Sequence, residues 1–148
     1  MLESIHYESM KMKEYAGIWV DHKKAFIVSI AEDQVTINNM VSNVDGHIRL
    51  SGGSRTSTPY GPREGPSEER REERRRQKLR QYYKKIIRII SDAENIFIFG
   101  PGEAKTELMK EMKKSKDLSS RIVGTETTDK MTERQIKAKV RKFFISNT

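Results

Sequence analysis

Asn95-Ile96-Phe97-Ile98-Phe99-Gly100-Pro101-Gly102-Glu103-Ala104-Lys105 is the stretch on which the fold turns. Its unbroken run of large apolar residues reads as a strand buried on both faces, since a half-exposed strand would alternate with polar residues. Gly100-Pro101-Gly102 ends that strand, because proline has no amide to donate and glycine favours a turn. A helix follows from about Glu103 to Lys114, with Ala104, Leu108, Met109 and Met112 on its inward face. Further along, Arg121-Ile122-Val123-Gly124 repeats the strand signal. Thr132 and Gln135 then have the spacing of a capping box, with Met131 and Ile136 placed as its hydrophobic staple. The helix they open runs to about Phe144 and carries Ile136, Val140, Phe143 and Phe144 on one side.

Upstream the periodicity changes to that of strands. Gly17-Ile18-Trp19-Val20 and Ala25-Phe26-Ile27-Val28-Ser29-Ile30 are apolar and β-prone, and the polar Asp21-His22-Lys23-Lys24 between them reads as the bend of a hairpin. Gln34-Val35-Thr36-Ile37-Asn38 alternates with period two after a turn at Glu32-Asp33. Met40 to Leu50 is expected to add a short extended segment. Residues 1–15 lack periodicity and read as a frayed leader, leaving one domain over 16–146. A strand meander followed by α-β-α-β-α predicts an α/β fold, a mixed five-stranded sheet flanked by helices with the element order of the ribonuclease H-like topology.

The charge of the chain is concentrated between these two halves. His47 to Arg88 holds thirteen basic and five acidic side chains, a net +8 that equals the net charge of all 148 residues. The rest of the chain is therefore neutral overall. Residues 51–66, rich in glycine, serine and proline, predict a flexible loop that cannot bury enough apolar area to offset its ordering entropy. Pro66 and Ser67 then read as the entry of a long basic helix over 67–90, with Ser67 as N-cap and Glu68 and Glu69 favouring the dipole. Its apolar stripe, Leu79, Tyr82, Tyr83, Ile86, Ile87 and Ile90, covers only the second half. Residues 68–78 contain no apolar side chain and are expected to project into solvent. Such a footprint suits a polyanion, above all nucleic acid. The candidate phosphate contacts are Arg49, Arg55, Arg63, Arg70, Arg71, Arg74, Arg75, Arg76, Lys78 and Arg80. The competing reading is a solvated helix stabilised by Glu–Arg pairs at i+3 and i+4, which leaves the excess of arginine unexplained.

Other chemistries find less support. The absence of cysteine excludes disulfides and thiolate metal sites. Lys11, Lys13, Glu14 and Asp21 interrupt any signal-peptide core, and no window approaches the roughly 20 apolar residues of a membrane span. The expectation is a soluble cytoplasmic protein with no membrane partner. Asp21 ends the first strand, where a metal nuclease of this topology places a ligand, with Glu32, Asp92 and Asp129 as candidate partners. Its polar neighbours favour a turn role instead, and no metal or cofactor is expected. His6, His22 and His47 have no ligand spacing and read as incidental surface residues. Gly100-Pro101-Gly102 could face a phosphate at a helix N-terminus, but it matches neither nucleotide-binding pattern and reads as a tight structural turn. Tyr82 and Tyr83 could stack on bases, although their helical spacing from Leu79 and Ile86 places at least one of them in the core.

Taken together, the meander, the glycine-rich loop, the long helix and the strand Ile96-Phe97-Ile98-Phe99 with its Gly100-Pro101-Gly102-Glu103-Ala104-Lys105 turn resemble the central domain of eukaryotic and archaeal class I peptide chain release factors and of their ribosome-rescue relative Pelota. The resemblance covers roughly residues 16–144. It implies a ribosomal partner, contact with rRNA or tRNA, and another translation factor as a candidate further partner. In that family the loop before the long helix carries a Gly-Gly-Gln motif tied to hydrolysis of peptidyl-tRNA. Ser51-Gly52-Gly53-Ser54-Arg55 occupies the corresponding place here. Gly52 and Gly53 permit close backbone approach to RNA, while Ser54 replaces the glutamine with a shorter group. The resemblance therefore implies a non-catalytic RNA-binding role in termination, rescue or dormancy. The alternatives are peptide release at the Gly52-Gly53 loop or a metal-dependent nuclease.

Overall fold

The structure, a computed structural model, describes residues 13–32, 34–44 and 64–146. Three antiparallel strands open the chain: β1 (Glu14–Val20), β2 (Lys24–Ala31) and β3 (Gln34–Val41). A long helix α1 (Glu64–Ile89) follows, then β4 (Asn95–Gly100), α2 (Ala104–Met112), the short α3 (Lys116–Ser119), β5 (Ile122–Thr127) and α4 (Glu133–Ser146). The five strands form one mixed sheet in the order β3-β2-β1-β4-β5. β4 lies parallel to both β1 and β5, whereas β1–β2 and β2–β3 are antiparallel. This is the expected α/β sheet with helices on both faces.

Period-two alternation divides the central strands between two cores. Ala16, Ile18 and Val20 of β1 and Ile96 and Ile98 of β4 face α1, α2 and α3, where Leu79, Ile86, Ile90, Leu108 and Met112 are buried with them. Trp19, Phe97 and Phe99 face the other way, under α4 with Ile136, Val140 and Phe144. The run Ile96–Phe99 is fully enclosed because both of its faces are covered. Aromatic stacking fills the α4 side: Phe97 and Phe143 stack nearly parallel with centroids 4.0 Å apart, and Tyr15 stacks on Phe144 at 4.9 Å. The aligned position on β1 is Gly17, where a Cβ would fall 2.3 Å from Val140 Cγ2, so α4 sits as close to the sheet as a backbone allows.

Several boundaries differ from the expectation. β1 starts at Glu14, inside the stretch assigned to the leader, because Glu14 pairs with Ala31 and its carbonyl accepts the Glu94 N–H at 2.8 Å. Residues 1–12 lie outside the described residues. α1 begins at Glu64, so Pro66 and Ser67 are inside its first turn and Ser67 is not the N-cap. Proline is tolerated there because first-turn amides have no intrahelical acceptor. The loop expectation for residues 51–66 falls beyond the described residues except for 64–66, which are helical. Met40 and Val41 finish β3, and 45–50 of the further extended segment are also outside the described residues. α3 went unanticipated; Ser115 caps it by accepting the Leu118 N–H at 3.3 Å. The capping box forms, with Thr132 N–H donating to Gln135 at 2.9 Å and Gln135 N–H to the Thr132 hydroxyl at 3.1 Å. Among the described residues no helix is long and apolar enough to cross a membrane.

The Gly100-Pro101-Gly102 turn is set by packing. Gly100 has φ 141°, and a Cβ there would lie 2.4 Å from the Val20 carbonyl oxygen, while Gly102 has φ 67° and faces open space. Gly100→Ala is therefore expected to cost at least about 2 kcal/mol, from strain plus a backbone clash. Gly102→Ala is expected to cost only about 1 kcal/mol, the left-handed conformation alone. Urea midpoints of the two variants check the order, and equal shifts would refute the packing argument. Thr132→Ala, which removes the α4 cap, is expected to lower stability by about 1 kcal/mol in the same assay.

Candidate nucleic-acid interface

α1 is 26 residues long, about 39 Å at 1.5 Å per residue. Its second half belongs to the core, with Leu79, Tyr82, Tyr83, Ile86 and Ile90 buried. Every residue from Glu68 to Gln77 is exposed. The apolar stripe stops at Leu79, and the helix continues beyond it as a solvated rod. Five glutamates between Glu64 and Glu73 and ten basic residues between Arg70 and Arg88 give the helix a net +5, with acids toward its N-terminus and bases toward its C-terminus. That order complements the helix dipole and helps the overhang hold its shape.

The rod brings Arg70, Arg71, Arg74, Arg75, Arg76 and Arg80 together as exposed side chains on one rigid element. Lys78 is partly covered, because its ammonium donates to the Asn43 carbonyl at 3.3 Å. Among the described residues, the ion pairing within this helix is Arg76 with Glu73 at 2.9 Å, both ends well exposed. A surface pair of that kind contributes at most about 1 kcal/mol. Arg49, Arg55, Arg63, Gly52, Gly53 and Ser54 lie outside the described residues. The segment that carries them leaves from Asn43 and Val44 beside Lys78 and returns at Glu64. Its two anchors are thus separated by about 21 Å along the helix.

Both tyrosines are core residues, which removes them as stacking platforms. Tyr82 O–H donates to the Asp21 carbonyl at 3.0 Å, and Tyr83 O–H donates to Glu107 at 2.7 Å. Burial, and then the Asp21 charge, pushes the Tyr82 phenol far above its ordinary range. Burial and the Glu107 hydrogen bond do the same to Tyr83, against a small opposing effect of Arg75. Both stay neutral donors at any physiological pH.

His22 is not the incidental surface residue expected. Its Nε2–H donates to Glu107 Oε1 at 3.1 Å, the same oxygen that receives Tyr83, while the His22 carbonyl accepts from Ser42 Oγ at 2.6 Å. The β1–β2 bend, α1, α2 and the end of β3 are thereby joined at the base of the rod. The sequence offered no signal for this, because the partners are separated by up to 85 positions.

The carboxylates considered for a metal do not converge. Asp21 Oδ1 accepts the amides of Lys23 and Lys24 at 2.8 and 2.7 Å, which makes it the turn residue of the β1–β2 hairpin. Glu32, after β2, and Asp92, before β4, stand at the opposite end of the sheet. Asp129 follows β5, two strands away from β1, and its carbonyl takes the Trp19 indole N–H at 3.3 Å. Among the described residues no group of three His, Asp or Glu side chains could hold a metal ion.

The sequence matches no protein-family model and no curated protein. Solved structures do share its architecture. The Pelota protein of Thermoplasma acidophilum superimposes with a TM-score of 0.52 at 13% identity, over 97% of this chain and 36% of that one. An archaeal protein superimposes with a TM-score of 0.53 at 8% identity, over 99% of this chain and 42% of the other. An archaeal translation termination factor gives 0.48 at 11% identity, over 90% and 39%. The chain spans well under half the length of these proteins. At such identities the likeness is one of fold, and the fold is that of a domain within Pelota.

Proposed function

We propose that this protein binds the ribosome or tRNA and acts in translation, in termination, rescue or dormancy, by RNA contact rather than catalysis. The observation that carries this reading is α1 itself: five arginines stand exposed over 68–77 among four glutamates, and Lys78, Arg80, Lys84, Lys85 and Arg88 follow on the same helix with no further acid. Guanidinium groups suit phosphates because their planar fork donates two parallel hydrogen bonds. A purely structural role needs only as many bases as the glutamates can pair, and the helix carries a surplus of five. The likeness of the Ile96–Lys105 turn and the Gly52-Gly53 segment to the release-factor and Pelota central domain supplies the partner class: rRNA or tRNA within the ribosome. A second translation factor is the corresponding protein partner.

Co-sedimentation with ribosomes at two salt concentrations tests this. With about six phosphates contacted, affinity is expected to fall on the order of a thousandfold between roughly 50 and 200 mM salt. Replacing Arg70, Arg71, Arg74, Arg75 and Arg76 with glutamine is expected to remove most of that slope and leave the unfolding transition unchanged. Binding that is unaltered in the quintuple variant would take the arginine helix out of the mechanism.

Chemistry at the loop has its own test. Ser54 is shorter than glutamine and offers fewer hydrogen-bonding groups for a water, and small misplacements of such a group cost about a hundredfold. Peptide release from loaded ribosomes is therefore expected to stay at background with the natural chain. Brisk release that disappears in Gly53→Ala would establish the hydrolase alternative instead.

A further inference from the structure

The charges of α1 are sorted around the helix axis as well as along it. At 3.6 residues per turn, Arg70, Arg74, Lys78, Gln81, Lys85 and Arg88 fall within an arc of roughly 80° and extend over about 27 Å. All five glutamates of the helix lie outside that arc. Glu68 and Glu72 continue the line of the buried Leu79 and Ile86, and Glu73 sits on the far side beside Arg76. One flank of the helix is thus a straight row of cations, about 4.5 to 10.5 Å apart along the axis, with no acid among them.

This flank runs past the overhang and onto the body of the domain. There Lys78, Gln81 and Lys85 share a shallow depression of about 170 Å³ with Val41, Ser42 and Asn43 at the end of β3. The Lys78–Asn43 bond holds helix and strand together at that point. β3 itself carries no charged residue, so the neighbouring strand adds no repulsion toward an anion. The basic residues of α4 cover the opposite face of the sheet and cannot join the row.

The occupant follows from what the flank has and lacks. Binding of single strands depends on aromatic rings exposed to stack on bases, and both tyrosines of α1 are turned into the core. A straight, acid-free row of cations matches the regular phosphates of a double helix, read through backbone and shape. We infer that the Arg70–Arg88 flank of α1 is a docking surface for the phosphate backbone of double-helical RNA. The inference rests on the proposed reading that the ligand is RNA, and it moves the contact from the arginine cluster at the tip to one side of the whole helix.

Two triple variants with equal loss of charge test it. Arg70, Arg74 and Lys85 to glutamine strips the flank; Arg134, Arg141 and Lys142 to glutamine strips α4 on the opposite face of the sheet. All six side chains are exposed, and circular dichroism verifies that both variants fold. Binding to a 20-base-pair RNA duplex and to an oligouridine of equal length is followed by fluorescence anisotropy across a salt series. The flank variant is expected to lose at least tenfold in duplex affinity and to flatten the salt slope by about 2 to 3, near 0.9 for each phosphate no longer neutralised. The control variant is expected to lose less than threefold. Equal losses in the two variants, or wild-type preference for the single strand, would overturn the flank while leaving RNA binding in place. Absence of wild-type binding to both probes and to ribosomes would instead remove the reading on which the inference rests.

Discussion

Burial of Leu79, Tyr82, Tyr83, Ile86 and Ile90 against the sheet is the constraint on which the rest of this structure depends. Isolated helices are marginal in water, and most of their stability in proteins comes from packing an apolar face. Here that face occupies one half of α1 and must hold the other half as well. Burying each of those side chains is worth about 1.5–3 kcal/mol, and the helix hydrogen bonds transmit that order outward through residues that touch nothing. The hydrogen bonds of Tyr82 to the Asp21 carbonyl and of Tyr83 to Glu107 add direction to the packing. Both phenols are buried and both are satisfied, so neither incurs the cost of an unpaired polar group.

The sheet is arranged to receive that helix. β1 and β4 run parallel at its centre and are apolar on both faces, which leaves one side for α1, α2 and α3 and the other for α4. Gly17 lets α4 approach β1, and Gly100 lets β4 end against the Val20 carbonyl without a Cβ in the way. Both glycines serve close packing. The turn that resembles a phosphate loop in sequence is thus packed against the protein's own backbone, and the excess of positive charge lies on α1 instead.

Electrostatics then acts on a surface already fixed by packing. Acids toward the N-terminal end and bases toward the C-terminal end favour the helix itself, whereas the distribution around the axis leaves one flank without acids. A mixed flank would cancel its own field at short range, while a flank without acids keeps it. His22, placed half-buried at the foot of the rod with Glu107 and Tyr83, locks the β1–β2 bend to α1 and α2 and so helps fix the angle at which the rod leaves the sheet.

Much of this was legible in the residues. The unbroken run Ile96–Phe99, the alternation of Gln34–Asn38 and the Thr132–Gln135 capping box each carry a local signal, because strand burial and helix capping depend on neighbours a few positions apart. The half-stripe of α1 was equally plain, since a helix surface repeats every three or four residues. The start of α1 lies three residues before the entry that Pro66 and Ser67 suggest, because the first turn of a helix has no hydrogen bond for proline to break and so admits Pro66 inside it. Both tyrosines proved buried where only one needed to be, and His22 proved tethered where it had seemed idle. Those outcomes depend on Asp21 and Glu107, which lie far away in the chain. By itself the sequence determined every element but the one-turn α3, their order and the concentration of positive charge, all of which follow from short-range periodicity and composition. Only the tertiary structure decided which side chains remained for a ligand, because burial and pairing at each position depend on which distant strand or helix packs against it.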